Sequence, residues 1–457
     1  MTRKADTITV RDIEERPVSQ ASHWTRENAT RIRPTATNTF PPFDTGKVKA
    51  LMPGYHVWDN WFVLDEEGNV ADIYGYTVLF ALVRPVDDEE SAHAKIAYFY
   101  SVDGVHYIPG GFVFRESLFS DVQEWSGSTI LRNDGRLQTF YTVAMGVELS
   151  SGWQTHQRFA TAIQTIAVTE AGMSLADPMY HALLAEPDGL YYQTIWESDA
   201  GESRAPTKHS LALGDDQTNN LCFRDPSFFK DPKTGKTFLL FEANTGSLLD
   251  AEGSVKQKYI GSEDFDVEYV PTPDDLKANG CIGMAEFTND EYTFVNLMPP
   301  VLTTNLVTDE IERIKLMVYD NHYYLFCVCH GNKMTIPDED LINRDFLLGF
   351  RSKDMLGQYE PLNKTGVVIQ QKSLGNRYDG QSENGQYIYS WLVLPDLSVV
   401  SYANFSTASD WTLQSVKTAG PSVQLEIDGL ETRITDLYYN VLPATVVEPP
   451  LVFPTIA

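Results

Sequence analysis

Along most of this chain the apolar residues come in short, nearly unbroken runs, not in the three-to-four spacing of a helix. Such runs cover residues 77–83, 95–100, 138–143, 159–167, 237–241, 323–328, 346–350, 387–394 and 397–402. They are rich in β-branched and aromatic residues, which suit a pleated surface, and so they predict strands. Between them lie turn signals: Asp103-Gly104, Asn133-Asp134-Gly135-Arg136 and Lys233-Thr234-Gly235-Lys236. Each places Asp, Asn or Gly where a tight hairpin needs unusual backbone angles. Helical periodicity is scarce, with one short turn expected over 274–278. Many short strands with few helices predict an all-β sandwich, barrel or propeller. No clean repeat period chooses among the three.

The ends read differently. Residues 1–45 are polar and Thr/Arg-rich, closing on Phe40-Pro41-Pro42-Phe43. This stretch reads as an N-terminal arm, either packed across the body or partly disordered. The tail, 446–457, is apolar and carries Pro449, Pro450 and Pro454, so it is expected to dock on the body.

Composition narrows the picture. The chain has 457 residues, 42% of them hydrophobic and 12% aromatic, enough for a large core. Length alone suggests about three domains, but single all-β barrels and propellers exceed that prior. The formal net charge is −28, from 35 Lys+Arg against 63 Asp+Glu. Such a surface repels nucleic acid and anionic membranes, which excludes both as partners. It fits a halophilic, salt-rich setting and equally an ordinary acidic protein. No apolar run of about 18 residues occurs, so no membrane-spanning helix is expected. Arg3, Lys4, Arg11, Asp12, Glu14, Glu15 and Arg16 leave no apolar core for a secretory signal peptide. The protein is therefore expected in the cytoplasm, exported by another route, or preceded by a leader this sequence lacks.

Four cysteines, Cys222, Cys281, Cys327 and Cys329, do not make a disulfide framework. Cys327 and Cys329 would share one strand face beside His330, but no second Cys/His pair completes a zinc site. Buried free thiols are expected. No glycine-rich phosphate loop precedes a helix, and Trp125-Ser126-Gly127-Ser128 lacks the first glycine of a hydrolase elbow.

Three acidic clusters stand beside Arg or Trp: Trp58-Asp59-Asn60-Trp61, Arg224-Asp225-Pro226, and Thr308-Asp309-Glu310-Ile311-Glu312-Arg313. Cleaving a glycosidic bond takes one carboxylate at the anomeric carbon and one carboxylic acid at the leaving oxygen. Arginines and further carboxylates bind hydroxyls and tune those two groups, and indoles offer a flat wall to a sugar face. Taken singly, each cluster reads as a solvated loop in a chain this acidic. Together, and in this order, the first and second clusters, Glu124-Trp125-Ser126-Gly127-Ser128 between them, Phe241-Glu242-Ala243-Asn244-Thr245-Gly246, and the third cluster resemble glycoside hydrolase family 68. That family comprises levansucrases, inulosucrases and related β-fructofuranosidases. The resemblance covers roughly residues 50 to 405, and the Ser101-Val102-Asp103-Gly104 hairpin is similar to those of other sugar-cleaving propellers.

The resemblance implies one five-bladed β-propeller over residues 46–457 and a retaining reaction on sucrose, through a covalent fructosyl-enzyme, by a monomer. It makes Asp59 the nucleophile, Asp225 the carboxylate that stabilises the transition state, and Glu312 the general acid/base. Trp58 and Trp125 become pocket walls, Ser126 a hydrogen-bond partner of the nucleophile, and Arg224 a donor to sugar hydroxyls. Glu310, Arg313, His330 and Tyr389 complete the substrate side, with Glu242 in support. Glu312 must be protonated to release glucose, so its pKa must stand above the ordinary value, helped by its like-charged neighbour Glu310. Read from the residues alone, Glu310 and Glu312 exchange roles freely. Arg313 would point away from them unless the backbone bends. Retaining chemistry expects the carboxyls of Asp59 and Glu312 about 5 to 5.5 Å apart.

Departures from the family pattern bear on the product. His330 stands where polymer-forming relatives carry Arg, and the distal Arg of many such members is missing beyond Asn404. Both suggest hydrolysis with short oligosaccharides, against a rival reading as a long-chain fructan synthase. No cofactor is expected. The family's calcium site is matched only by Asp309 and Asn279, with Asn219 where Asp is usual. Two further rivals are a non-catalytic sugar-binding propeller and a propeller glycosidase acting on arabinan or xylan.

Overall fold

The computed structural model describes residues 21–87, 93–149, 152–170, 172–197, 221–246, 256–265, 268–272, 275–276, 278–371, 387–404 and 416–442. Strands dominate them, arranged as five antiparallel meanders, units I to V. Unit I comprises Tyr55–Asp65, Thr77–Pro85, Lys95–Ser101 and Ile108–Phe112. Unit II comprises Val122–Leu131, Leu137–Leu149, Gly152–Gln164 and Tyr180–Ala185. Unit III comprises Phe223–Lys230, Thr237–Asn244, Gly280–Phe287 and Val295–Thr303. Unit IV comprises Glu312–Tyr319, His322–His330 and Asp345–Ser352, with Glu360–Pro361 and Val367–Gln370 sharing its outer edge. Unit V comprises Ile388–Val393, Ser398–Asn404, Ser422–Asp428 and Glu431–Tyr438.

The predicted strands match these elements, overrunning them by at most one residue at an end, with one break. The run expected over 159–167 ends at Gln164, and Ile166–Thr169 turns into a separate hairpin with Gly172–Leu175. The expected turn glycines Gly104, Gly135 and Gly235 all sit at positive φ, between 69° and 82°. The helical turn expected over 274–278 is described only in part, and the tail 446–457 lies outside the described residues.

The runs are unbroken because both faces of each meander are buried. One apolar cluster joins units I and II, around Trp61, Phe80, Tyr98 and Tyr141. Others join II to III around Phe140, Phe159 and Phe241, III to IV around Leu240, Met284 and Leu325, and IV to V around Phe326, Leu347 and Trp391. A fifth joins V back to I, through Val400, Leu394, Val57, Phe62 and Leu79. Each fully buried aromatic or aliphatic side chain contributes about 1.5–3 kcal/mol. The leading strands also lie beside one another, and those of units I and II pair in parallel over Val63–Asp65 and Thr129–Leu131.

The described part of the arm is packed. Ser22–His23 pairs in parallel with Leu302 and Thr303 of unit III. Trp24 is fully buried between units III and IV and donates its indole N–H to the Thr365 carbonyl at 2.7 Å. Helix Arg26–Thr30 starts from a capping box of Thr25 and Asn28, and Phe40 and Phe43 enter the cluster between units IV and V. No helix among the described residues is long and apolar enough to cross a membrane.

Candidate active site

All five leading strands kink at the same level. Their register slips between Trp58 and Trp61, Trp125 and Gly127, Arg224 and Ser227, Glu312 and Lys315, and Tyr389 and Leu392. Each slip is a β-bulge, which re-aims side chains and is common beside active sites. At four of the five the first bulged residue is non-glycine with positive φ: Asp59 at 39°, Asp225 at 58°, Arg313 at 57° and Ser390 at 58°. Such backbone stores about 1–3 kcal/mol each and persists where the surroundings over-determine it. In unit II the bulge falls at Ser126, and Gly127 follows because a Cβ there would stand 1.9 Å from the Phe140 carbonyl oxygen. The residues before and at the kinks are Trp58-Asp59, Trp125-Ser126, Arg224-Asp225, Glu312-Arg313 and Tyr389-Ser390. Nine of these ten were expected at the site from sequence; Ser390 was not.

Arg224 is the hub. Its Nε donates to Glu242 Oε2 at 2.6 Å, and its Nη2 donates to Glu310 Oε2 at 3.1 Å and Glu312 Oε1 at 2.8 Å. Its guanidinium is spent on three carboxylates rather than left open for a sugar alone. Glu242 is fully buried and also accepts the Ile311 N–H at 3.0 Å, fixing the segment that leads into Glu312. One guanidinium cannot neutralise this many buried carboxylates, so protons are held. Burial, then Glu310, push Glu312 up to about 7, against the pull of Arg224 and His330. Burial drives Glu242 well above the carboxylate range.

Asp225 is fixed from two sides. Ser126 Oγ donates to Oδ1 at 2.5 Å and the Arg313 N–H donates to Oδ2 at 3.2 Å, while its own N–H bonds Thr142 Oγ1. Burial raises its pKa, opposed by Arg224 and reinforced by the charge of nearby Asp59. This corrects the expectation for Ser126: its single proton goes to Asp225, not to Asp59, because the two bulges face each other across units II and III. Arg313 does bend, as its positive φ requires, and its guanidinium donates to the Asn60 carbonyl at 2.5 Å. It braces the bulge that carries Asp59 rather than extending toward a sugar. Asn60 Nδ2 in turn bonds the Ser401 carbonyl of unit V at 2.9 Å.

On the opposite side, Tyr389 Oη donates to Glu312 Oε2 at 2.5 Å. His330 stacks on Tyr389, centroids 4.0 Å apart and planes 19° off parallel, with Nε2 3.7 Å from the same Glu312 oxygen. Its Nδ1 meets Asp345 Oδ1 at 2.9 Å. Burial pulls His330 down, but Asp345, then Glu310 and Glu312, outweigh it, and the net direction is up. Sequence reasoning missed Asp345. Its signal is only that it sits directly across the ladder from His330, a register no spacing rule supplies. Trp58 is half-buried between two clusters, and the Trp125 ring lies 6.0 Å from the Arg224 guanidinium carbon.

The four cysteines are free and buried. For calcium, Asn244 Nδ2 donates at 3.0 Å to Asn279 Oδ1 and to the main-chain carbonyl of Asp309, a contact that does not involve the Asp309 carboxylate. Asn219 lies outside the described residues. Among the described residues, no trio of His, Cys, Asp and Glu ligand atoms includes Asp309. The trios that do converge surround Arg224, whose guanidinium already fills the cation's role.

Known proteins resemble this chain along nearly its whole length. An extracellular sucrase of Zymomonas mobilis is 29% identical over 448 residues, covering 95% of this chain and 98% of its own. A Bacillus subtilis levansucrase variant in complex with oligosaccharides superposes with a TM-score of 0.78 at 27% identity, covering 94% of this chain and 98% of that one. An inulosucrase from Halalkalicoccus jeotgali bound to kestose superposes with a TM-score of 0.73 at 27% identity, covering 94% and 99%. The family model described as levansucrase/invertase matches residues 14–440, nearly the whole length, and the chain therefore belongs to glycoside hydrolase family 68.

Proposed function

We propose that this protein is a retaining fructosyl-transferring glycosidase acting on sucrose, built as a five-bladed propeller with the site on its axis. The cyclic order of the five apolar clusters, with unit V packed on unit I, supports the propeller. The arm belongs to the same body, since Trp24 is buried within it. The observation that carries the chemistry is Glu312, a mostly buried carboxyl whose pKa is raised to about 7 and which is aimed by Arg224 and Tyr389. A general acid works best with its pKa near the operating pH.

In this reading Asp59 attacks the anomeric carbon of the fructosyl unit while Glu312 delivers its proton to the departing glucosyl oxygen. The Asp59 carboxylate becomes an ester and glucose leaves. Asp225 takes fructosyl hydroxyls in bonds that strengthen as positive charge develops. Glu312, now ionised, removes a proton from water or from a sugar hydroxyl, which then displaces Asp59. The names of the relatives, sucrase, levansucrase and inulosucrase, favour sucrose over arabinan or xylan. Hydrolysis with short oligosaccharides is the preferred balance, because His330 on the acceptor side is held by Asp345 and Tyr389 rather than being a free arginine. Long-chain fructan synthesis is the second reading.

The test is sucrose turnover with glucose and free fructose counted separately, at low and high salt. Equal amounts identify water as the acceptor, and glucose in excess identifies transfer. No glucose from the native protein, or full turnover by Asp59→Asn, refutes the proposal.

A further inference from the structure

The leading strands run from the site to a second cavity at their far ends. It has a volume of about 330 Å³ and is walled by all five units, from Leu64 and Asp65 in unit I to Pro395 in the first turn of unit V. A narrower space of about 30 Å³, lined by Asp225 and Arg313, lies between it and the site. Lys315, three residues beyond Glu312 on the same strand, lines both. The side chain belongs to a residue only 5% exposed. Among the described residues its amine has no hydrogen-bond or ion-pair partner, whereas Lys230, on the same wall, bonds Glu66 and Glu67. The reaction proposed above makes no use of Lys315.

A buried ammonium without a partner is unfavourable, and the neutral amine is the form such a place prefers. A neutral amine in a walled cavity is a nucleophile toward carbonyl groups. We propose that this cavity is a covalent modification site at which Lys315 condenses with a small neutral hydroxy-aldehyde of the aldose class. The amine nitrogen attacks the aldehyde carbon, the carbinolamine loses water, and a C=N bond replaces the C=O, with no oxidant or reductant consumed. The size suits a ligand up to about a hexose. The charge on the walls selects within the carbonyl class. Asp65, Glu66 and Glu67 outnumber Lys315 and Lys230, so keto acids and sugar phosphates are repelled while hydroxyl groups find acceptors. Burial pushes the Lys315 amine down to about 8, with Asp65 opposing. At pH 7.5 about a quarter of it is then neutral, against about one part in a thousand for an ordinary lysine.

The experiment is reductive trapping on the intact protein with glyceraldehyde and cyanoborohydride at pH 7.5. Peptide mass spectrometry follows each lysine over time. The expected result is an adduct on Lys315 at least about tenfold faster than on exposed Lys236, and slower labelling of Lys315 by the anionic aldehyde glyoxylate. Lys315→Met should abolish that fast adduct and leave the rates of other lysines unchanged. An unmodified Lys315 after Lys236 has reacted to completion overturns the proposal. So does equal labelling of Lys315 by glyoxylate and glyceraldehyde. Neither outcome depends on sucrose turnover, so the site and the proposed activity stand or fall separately.

Discussion

Tyr389 and His330 converge on one oxygen of Glu312, the phenol at 2.5 Å and the imidazole at 3.7 Å, while Arg224 holds the other oxygen at 2.8 Å. The carboxyl is thus aimed by units III, IV and V at once, and its proton affinity is set first by burial and then by the charges of Glu310, Arg224 and His330 beside it.

Tyr389→Phe removes a donor that favours the ionised carboxylate, so the Glu312 pKa rises further. The alkaline limb of the kcat/KM profile on sucrose should move to higher pH, with kcat reduced about tenfold. A profile unmoved on its alkaline side would mean that Glu312 is not the group that limits it.

Glu312 also makes stability depend on pH. Its folded pKa, about 7, lies above the ordinary 4.5, so the folded chain binds the proton more tightly than the unfolded one. That contribution is full below about pH 4.5 and is lost as pH rises through 7. Glu312→Gln keeps the shape without the charge. It should unfold at higher temperature than the native protein at pH 8, by an amount worth about 1–3 kcal/mol, with little difference at pH 5. Sucrose turnover should fall by at least about a thousandfold. Thermal melts at the two pH values, run beside the activity assay, decide the matter.

Arg224→Met leaves Glu242, Glu310 and Glu312 without their shared cation. Removing one partner from a buried ion cluster costs about 3–5 kcal/mol. The variant should be strongly destabilised at pH 8 and partly rescued at pH 5, where the carboxyls take up protons. Equal melting temperatures of variant and native protein at pH 8 would contradict the hub role.

Ser390 has positive φ, and its buried hydroxyl has no hydrogen-bond partner among the described residues. Glycine adopts that backbone freely and removes the stranded hydroxyl. Ser390→Gly should therefore raise thermal stability by about 1 kcal/mol. A lower melting temperature would show that the hydroxyl is engaged by water or substrate.

His330→Arg places a longer cation beside Tyr389 and Asp345. Products from sucrose should shift toward longer chains, as read by chromatographic sizing. An unchanged size distribution would remove His330 from product control.

The strands and most of the site were legible because each rests on local chemistry. Unbroken apolar runs reported burial on both faces, and Asp59, Asp225 and Glu312 stood in short motifs. What stayed hidden depends on the ladder. Positive φ at Asp59, Arg313 or Ser390 leaves no trace in side-chain type, since glycine, the usual marker, is absent there. The bond from Ser126 to Asp225 and the pairing of His330 with Asp345 come from register and from the meeting of separate units.

The five aligned kinks divide the labour of the molecule. Beneath them, apolar clusters hold each unit to its neighbours; at them, one two-residue step per unit presents the chemistry. Substituting a side chain at one step leaves the apolar residues below unchanged, but its effect spreads to the groups it bonds, as from Arg224 to Glu242, Glu310 and Glu312. Acid strength is therefore a shared trait: Arg224, His330 and Tyr389 reach one carboxyl from three units, and a change in any of them retunes it.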